Sequence, residues 1–260
     1  MTDDAPYILR LAETERDLRA AQRLRYGVFV QELGGSGPLV DHANRLEKDE
    51  FDPFFEHLLL IDPSRDADDL ADVVGVYRLL PSDRLALSGR FYSENEYDLT
   101  ALKTSGRRLL ELGRSCVHPD HRGGSAMLLL WNALAEYVLE REIEVLFGTA
   151  SFHGTNVRAL AQPLSNLHHH HLAPLALRVT ARAPHCAEMN LIPAAQLDRR
   201  AALAGTPALI KAYLRLGGFV GEGAWVDHAF NTTDVCLVMD TARMSAKHRD
   251  FYIRKSARDP

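Results

Sequence analysis

The chain is poor in cysteine, with only Cys116, Cys186 and Cys236 among 260 residues. Three widely spaced cysteines make neither a disulfide framework nor the paired spacing of a zinc site, and they suit a reducing compartment. No run of about eighteen apolar residues is present, so no membrane-crossing helix is expected. The opening residues are charged and lack an apolar segment, so a secretion signal is not expected. Positive charge is not in excess: 30 Lys and Arg stand against 35 Asp and Glu, a net charge of −5. A global basic field for nucleic acid is therefore missing, and an acidic partner would have to meet a local basic patch. Neither a Gly-, Ser- or Pro-rich linker nor a repeat divides the chain. The expectation is a core over 1–155 and an extension over 156–260 continuous with it.

What is present is an alternation of strand and helix patterns. Residues 7–11 read as a strand. Thr14 opens a helix, with Asp17 three residues on as a capping box. Leu18, Ala21, Leu24 and Val28 give that helix an apolar stripe, and the glycine-rich stretch 34–38 ends it. Residues 41–56 read as an acidic loop. Strands are predicted at 57–62, 73–80, 109–117 and 144–150, with a short helix near 99–103. A helix is predicted over 124–142, with Leu128, Trp131, Leu134, Ala135 and Val138 on its apolar face. Farther on, a strand is predicted over 175–181, helices over 194–204 and 207–216, and a strand over 235–239. The fold class is α/β, a mixed central sheet flanked by helices.

The segment from Glu111 to Ala126 carries the most chemistry. It reads as a strand, a tight turn and a helix start, where unpaired backbone N–H groups carry partial positive charge. Gly123, Gly124 and Ser125 let a phosphate approach those groups, and Arg122 adds a charge-assisted contact. Glu111 and Arg114, three apart, point to opposite faces of a regular strand; a bulge between them brings both to one side. Acyl transfer to an amine needs a neutral amine, so a carboxylate near the attacking nitrogen is useful. A strand bulge also exposes a backbone N–H for an oxyanion. The bland alternatives are a glycine-softened turn and a structural ion pair.

Several spaced segments fall in one order: Leu24 to Phe29, Glu47 to Asp52, Gly75 to Pro81, and Glu111 to Arg114. This pattern resembles the acyl-homoserine lactone synthases, which are GNAT-like in fold. The resemblance is closer to the ornithine N-acyltransferases of bacterial ornithine-lipid synthesis. The residues carrying it are Gly113 to Val117, Leu129-Leu130-Trp131, Pro163 to His170, Met189-Asn190, Leu209 to Gly217 and Phe230 to Val235. Lactone synthases are shorter and lack the features beyond residue 150, so the similarity covers roughly 20–240.

The resemblance implies a GNAT-like α/β fold with a C-terminal α/β elaboration. It also implies transfer of a 3-hydroxyacyl group from acyl carrier protein to the α-amine of ornithine. Arg25, Asp49, Asp52, Arg78, Glu111 and Arg114 would line the amine and thioester site, with Glu111 accepting the amine proton. Phe29 would pack against the acyl-pantetheine arm or the core. Arg122, Gly123, Gly124 and Ser125 would hold the phosphopantetheine. A standard GNAT loop has glycine where Ser125 stands, and glycine or alanine where Met127 stands, which favours a carrier-bound donor over acetyl-CoA. No cofactor is expected beyond the acyl carrier protein co-substrate.

Cys116 invites a nucleophile reading, but no histidine is paired with it and thioester attack by an amine needs no covalent enzyme intermediate. The four histidines at 168–171 invite a metal reading; adjacent side chains point apart and no other ligand stands at spacing, so no metal is expected. The basic and aromatic tail at 247–255 is a candidate for peripheral contact with an anionic membrane. The expected setting is cytoplasmic, at the inner face of the membrane. The alternatives are a lactone synthase and a non-catalytic module that docks acyl carrier protein or a membrane.

Overall fold

Thr14 starts the first helix as its sequence predicts. In the computed structural model, which describes residues 7–243, the Thr14 hydroxyl accepts from the Asp17 N–H, and Asp17 accepts from the Thr14 N–H in return. The helix spans Glu15–Arg25. It does not simply run on to the glycines. From Tyr26 to Glu32 it widens into a π-helix, with the Leu33 N–H reaching back to Val28 O at 3.1 Å. Such widenings recur at functional sites because they shift the side chains that follow.

The described chain divides into two units. Among the described residues the first comprises 7–80 and 112–141. Its strand Ile8–Leu11 pairs antiparallel with Glu56–Ile61, which pairs antiparallel with Val73–Pro81. The far part of strand Leu109–Val117 lies next in order. Leu58 to Ile61 form an unbroken apolar run because the strand is covered on both faces. Leu59 and Ile61 pack with Ala20, Ala21, Leu24 and Val28 of the first helix and its continuation. Leu60, which alternates with them, meets the other side, where Leu130 of helix Ala126–Glu140 packs. Gly75 makes that approach possible: a Cβ there would stand 2.9 Å from Leu130 Cδ1 and 3.1 Å from Leu60 Cβ.

The helix Ala126–Glu140 rolls relative to its expected face. Leu130, Leu134, Tyr137 and Val138 are its buried stripe, while Leu128 is 53% exposed. Both stripes satisfy helical spacing, and only the packing partner selects between them.

The second unit comprises, among the described residues, 81–111 and 142–243. Leu109 to Glu111 run parallel to Val145 to Phe147. Val145–His153 then pairs along its whole length with Thr232–Asp240, longer strands than the sequence suggested. Ala224–Asp227 and Cys186–Ala187 extend that sheet. The strand expected over 175–181 is instead a 3-10 turn, Leu175–Leu177, and a two-residue strand, Thr180–Ala181. Pro174, immediately before it, sets up the turn. The helix expected over 194–204 splits into a turn at Ala194–Gln196 and a helix Arg199–Gly205, capped by Asp198. The helix Ala161–His171, absent from the expectations, is fastened by Ser165. Its hydroxyl accepts from the Leu191 and Ile192 N–H groups and donates to Met189 O, each at 3.0 Å. Within the same histidine run, His169 Nε2 lies 2.9 Å from Ile192 O.

No helix among the described residues is long and apolar enough to cross a membrane. The tail segment 247–255 lies outside the described residues.

Candidate active site

Three arginines and three carboxylates meet in the first unit. Arg25 ends the first helix, and Arg78 sits in a strand that is buried throughout its length. Arg114 lies on the strand Leu109–Val117. Glu47, Asp49 and Asp52 come from the acidic loop, which keeps 42–45 and Glu50 exposed but turns these three carboxylates inward. Asp49 shapes that loop by accepting the N–H groups of Phe51 at 2.9 Å and Asp52 at 3.1 Å. Phe51 and Phe55, both buried and edge-to-face, anchor it.

The pairs interlock. Arg25 donates through Nε to Glu47 and through Nη1 to Asp52 Oδ1 at 2.6 Å. Arg78 Nη1 reaches Asp52 Oδ1 at 2.9 Å, and the Arg78 guanidinium carbon lies over the Phe55 ring, 4.3 Å from its centroid. Arg114 joins Glu47 at 3.2 Å and Asp49 at 3.3 Å. Gln22 Nε2 donates to the other oxygen of Asp52 at 2.9 Å. Burying this many charges is tolerable only because each meets an opposite one.

The electrostatics follow. Burial raises the carboxyl pKa of Asp52, but Arg25 and Arg78 outweigh it and hold the group well below the usual carboxylate range. Glu47 and Asp49 are lowered by the same contest, against Arg25 with Arg114 and against Arg78 with Arg114 respectively. Arg25 is destabilised by burial and raised on balance by Glu47 and Asp52. His57 lies beside the network, its Nε2 3.2 Å from Asp52 O. Burial, followed by the field of Arg25, lowers it to about 4, so it is neutral at neutral pH.

Exposure sorts the six ionic residues. The side chains of Arg25 and Arg78 are fully buried, and those of Glu47 and Asp52 nearly so. Asp49 and Arg114 keep 17% and 15% exposure, so these two present the network to solvent. Arg114 also has a left-handed backbone, φ +47, which breaks the regular strand at that residue. Phe29 packs against the Ala20–Leu24–Leu59 core, one of its two expected settings.

The turn after that strand holds Arg122 through Val117 O at 2.9 Å and a two-point pair with Glu32 at 2.6 and 2.7 Å. Gly123 has φ +81, a conformation that only glycine adopts without strain. Ser125 precedes the helix without capping it by its side chain. Cys116 is buried, and burial pushes its thiol up to about 12, so no thiolate is available at neutral pH.

Glu111 belongs to the second unit and is 1% exposed. Its Oε2 accepts the Tyr92 N–H at 2.8 Å and its Oε1 accepts the Ser93 N–H at 2.6 Å. Both donors open the 3-10 turn Tyr92–Asn95. Phe91, just before it, is buried and meets Phe147 edge-on, 4.9 Å between centroids. The carboxylate is thus fixed by main chain, whose position does not depend on a rotamer. Sequence reasoning missed Tyr92 and Ser93, because a backbone donor leaves no side-chain signature. It also left Gln22 and His57 unassigned; Gln22 stands among the arginines of its helix and His57 follows Glu56 at a strand end, so neither carries a distinguishing sequence signal.

The chain resembles known proteins in both sequence and fold. An acetyltransferase (GNAT) domain family matches residues 24–132. The chain is 67% identical over 249 residues to an L-ornithine N(alpha)-acyltransferase of Rhodobacter capsulatus, covering 96% of this chain and 95% of that one. It is 39% identical to the protein of the same description from Agrobacterium fabrum, covering 94% and 84%. Among solved structures, a CoA-dependent acyl-homoserine lactone synthase, BjaI, shares the fold with a TM-score of 0.54 at 16% identity. That match covers 96% of this chain and 89% of that one.

Proposed function

The chain belongs to the L-ornithine N(alpha)-acyltransferase family, and from that premise we propose that it moves a 3-hydroxyacyl group from acyl carrier protein to the α-amine of ornithine. The product is a lyso-ornithine lipid. The acyltransferase class itself follows from the family. The observation that carries the chemistry is Glu111, a buried carboxylate with both oxygens fixed by main-chain N–H groups.

In this reading the amine attacks the thioester carbonyl. A C–N bond forms and the C–S bond breaks. Of the two protons that the ammonium nitrogen loses on becoming an amide N–H, one ends on the leaving sulfur and the other passes to Glu111. The thioester is already activated, so the reaction needs no further cofactor.

The arginine–carboxylate network supplies the acceptor side. Asp49 and Arg114, its two partly exposed members, are the pair suited to an amino acid's ammonium and carboxylate. Arg25, Arg78 and Asp52 hold that pair in place. Arg122, Gly123, Gly124 and Ser125 form the cradle for the phosphate of the pantetheine arm. We read the enzyme as cytoplasmic, working at the inner membrane face where its amphiphilic product belongs.

A lactone synthase would use a different acceptor, and the identity along almost the whole chain to ornithine acyltransferases favours ornithine. The test is direct. Purified protein, 3-hydroxyacyl carrier protein and ornithine are incubated and the products read by mass spectrometry. The expected product is the N(alpha)-amide. No amide with ornithine or any other amino acid would overturn the reading, and an equal rate with the acyl-CoA would overturn the carrier-bound donor.

A further inference from the structure

Ser93 meets Glu111 through its main chain. Its N–H donates to Glu111 Oε1 at 2.6 Å. Its side chain is 1% exposed, and its hydroxyl oxygen is buried without a hydrogen-bond partner among the described residues. Buried hydroxyls are normally bonded, and an exception needs an explanation. The hydroxyl is only a few covalent bonds from the N–H that Glu111 holds. Phe91, which opens this turn, and its ring partner Phe147 are apolar, and the Cys236 thiol, which lies within the field of Glu111, is directed to Leu237 O at 3.7 Å. Burial, with Glu111 and Glu96 nearby, pushes that thiol up, so it stays protonated.

A purely structural serine at this place would turn its hydroxyl to a backbone carbonyl, as Thr104 and Thr206 do here. An alanine would fill the same space without an unmet polar atom. A hydroxyl kept unbonded on the residue whose N–H meets the Glu111 carboxylate suits a small ligand that donates to that carboxylate and exchanges hydrogen bonds with the hydroxyl. Water has that chemistry, and polar partners of this kind are what retain a buried water.

We infer that Ser93 is a positioning residue for proton transfer: its hydroxyl and the Glu111 carboxylate together hold one water that hands the acceptor's proton to Glu111. The water takes a proton from the acceptor nitrogen and gives one to the carboxylate, so water and serine end unchanged. This rests on the reading of Glu111 as the base.

The experiment compares wild type with S93A, S93T and E111Q, using 3-hydroxyacyl carrier protein and ornithine, with Tm measured for each. S93A is expected to lower kcat by about tenfold or more, a part of the roughly 10²–10⁴-fold that a proton-transfer group supplies. Its KM for both substrates stays within about twofold, and its Tm is unchanged or higher, because no hydrogen bond to protein is lost. S93T, which keeps the hydroxyl, is expected to restore most of kcat. A second readout is the solvent isotope effect on kcat, whose dependence on the deuterium fraction should curve in wild type and straighten in S93A. An S93A enzyme with wild-type kcat, beside an inactive E111Q, overturns the role of Ser93 alone. Equal losses in S93A and S93T, with Tm lowered in both, overturn it in favour of packing. An active E111Q overturns the reading of Glu111 and this inference with it.

Discussion

Arg78 Nη1 lies 2.7 Å from both oxygens of Asp49, so one nitrogen straddles the whole carboxylate. That geometry ties a fully buried strand residue to the acidic loop and makes the loop's position a property of the core. Replacing Arg78 by Met is expected to cost about 3–5 kcal/mol, because Asp49 and Asp52 are left as buried anions with too few cations. Urea unfolding measures it. A loss below about 1 kcal/mol would mean the loop is not held through this residue.

His57 gives the network a pH dependence with a definite sign. Its folded pKa of about 4 lies below the ordinary 6.5. The unfolded chain therefore binds the proton first, and stability falls as pH drops from the upper value to the lower. The gap corresponds to a contribution on the order of 3 kcal/mol, complete above the upper value. Glu47, Asp49 and Asp52, with lowered pKa values, contribute stability that is lost only at more acid pH. H57Q, which keeps a donor for Asp52 O but does not titrate, should flatten the slope between pH 6.5 and 4. The curves should converge in shape below it. Thermal melts across that range check this, and an unchanged slope would remove His57 as its source.

How far the sequence reached can be judged from these residues. The capping box at Thr14 and the strand Leu109–Val117 were legible because both depend on local chemistry. The acidic loop was legible as a motif but not as a buried object, since inward turning depends on arginines 27 to 67 residues away in the chain, namely Arg25, Arg78 and Arg114. The helix Ala161–His171 was missed because Pro163 and four histidines mask its period. Pro163 is tolerated there because it lies in the first turn, where its missing N–H has no helical partner to lose. The face of helix Ala126–Glu140 was only partly legible: Leu134 and Val138 are buried as expected and Leu128 is not, because nearly every position is apolar and periodicity alone selects no stripe.

E111Q separates the chemistry from the fold. An amide presents one oxygen and one NH2, so it can accept from only one of the Tyr92 and Ser93 N–H groups and faces the other with a donor. Stability should fall by about 1–3 kcal/mol, the cost of a buried unmet group. The kcat should fall by about a hundredfold or more. Single-turnover kinetics on folded protein test this, and a variant with near-normal kcat would remove Glu111 as the base.

Gly75 has no role in the chemistry but sets the distance between a helix and the strand that carries Arg78. G75A pushes a methyl toward Leu130 Cδ1, which can rotate away, and toward Leu60 Cβ, which cannot. An overpacking cost of about 1–3 kcal/mol is expected, with KM for the acceptor rising as Arg78 shifts. Retained stability would show that the two layers can separate without cost.

Glu32 competes for the arginine assigned to the donor. Its carboxylate, kept below the usual range by the hydrogen bond from Arg122, occupies both terminal nitrogens of that guanidinium. The pair is half exposed, so it is worth about 1 kcal/mol at most. A phosphate must displace or share it. E32Q is therefore expected to lower KM for the acyl carrier protein by up to about fivefold, the equivalent of that energy, with Tm nearly unchanged. R122A should raise the same KM, and the double variant should resemble R122A, since glutamate matters here only through the arginine. If E32Q raises KM while R122A leaves it unchanged, the phosphate is held by the Gly123–Ser125 backbone alone, and the pair with Glu32 serves to keep that turn in shape.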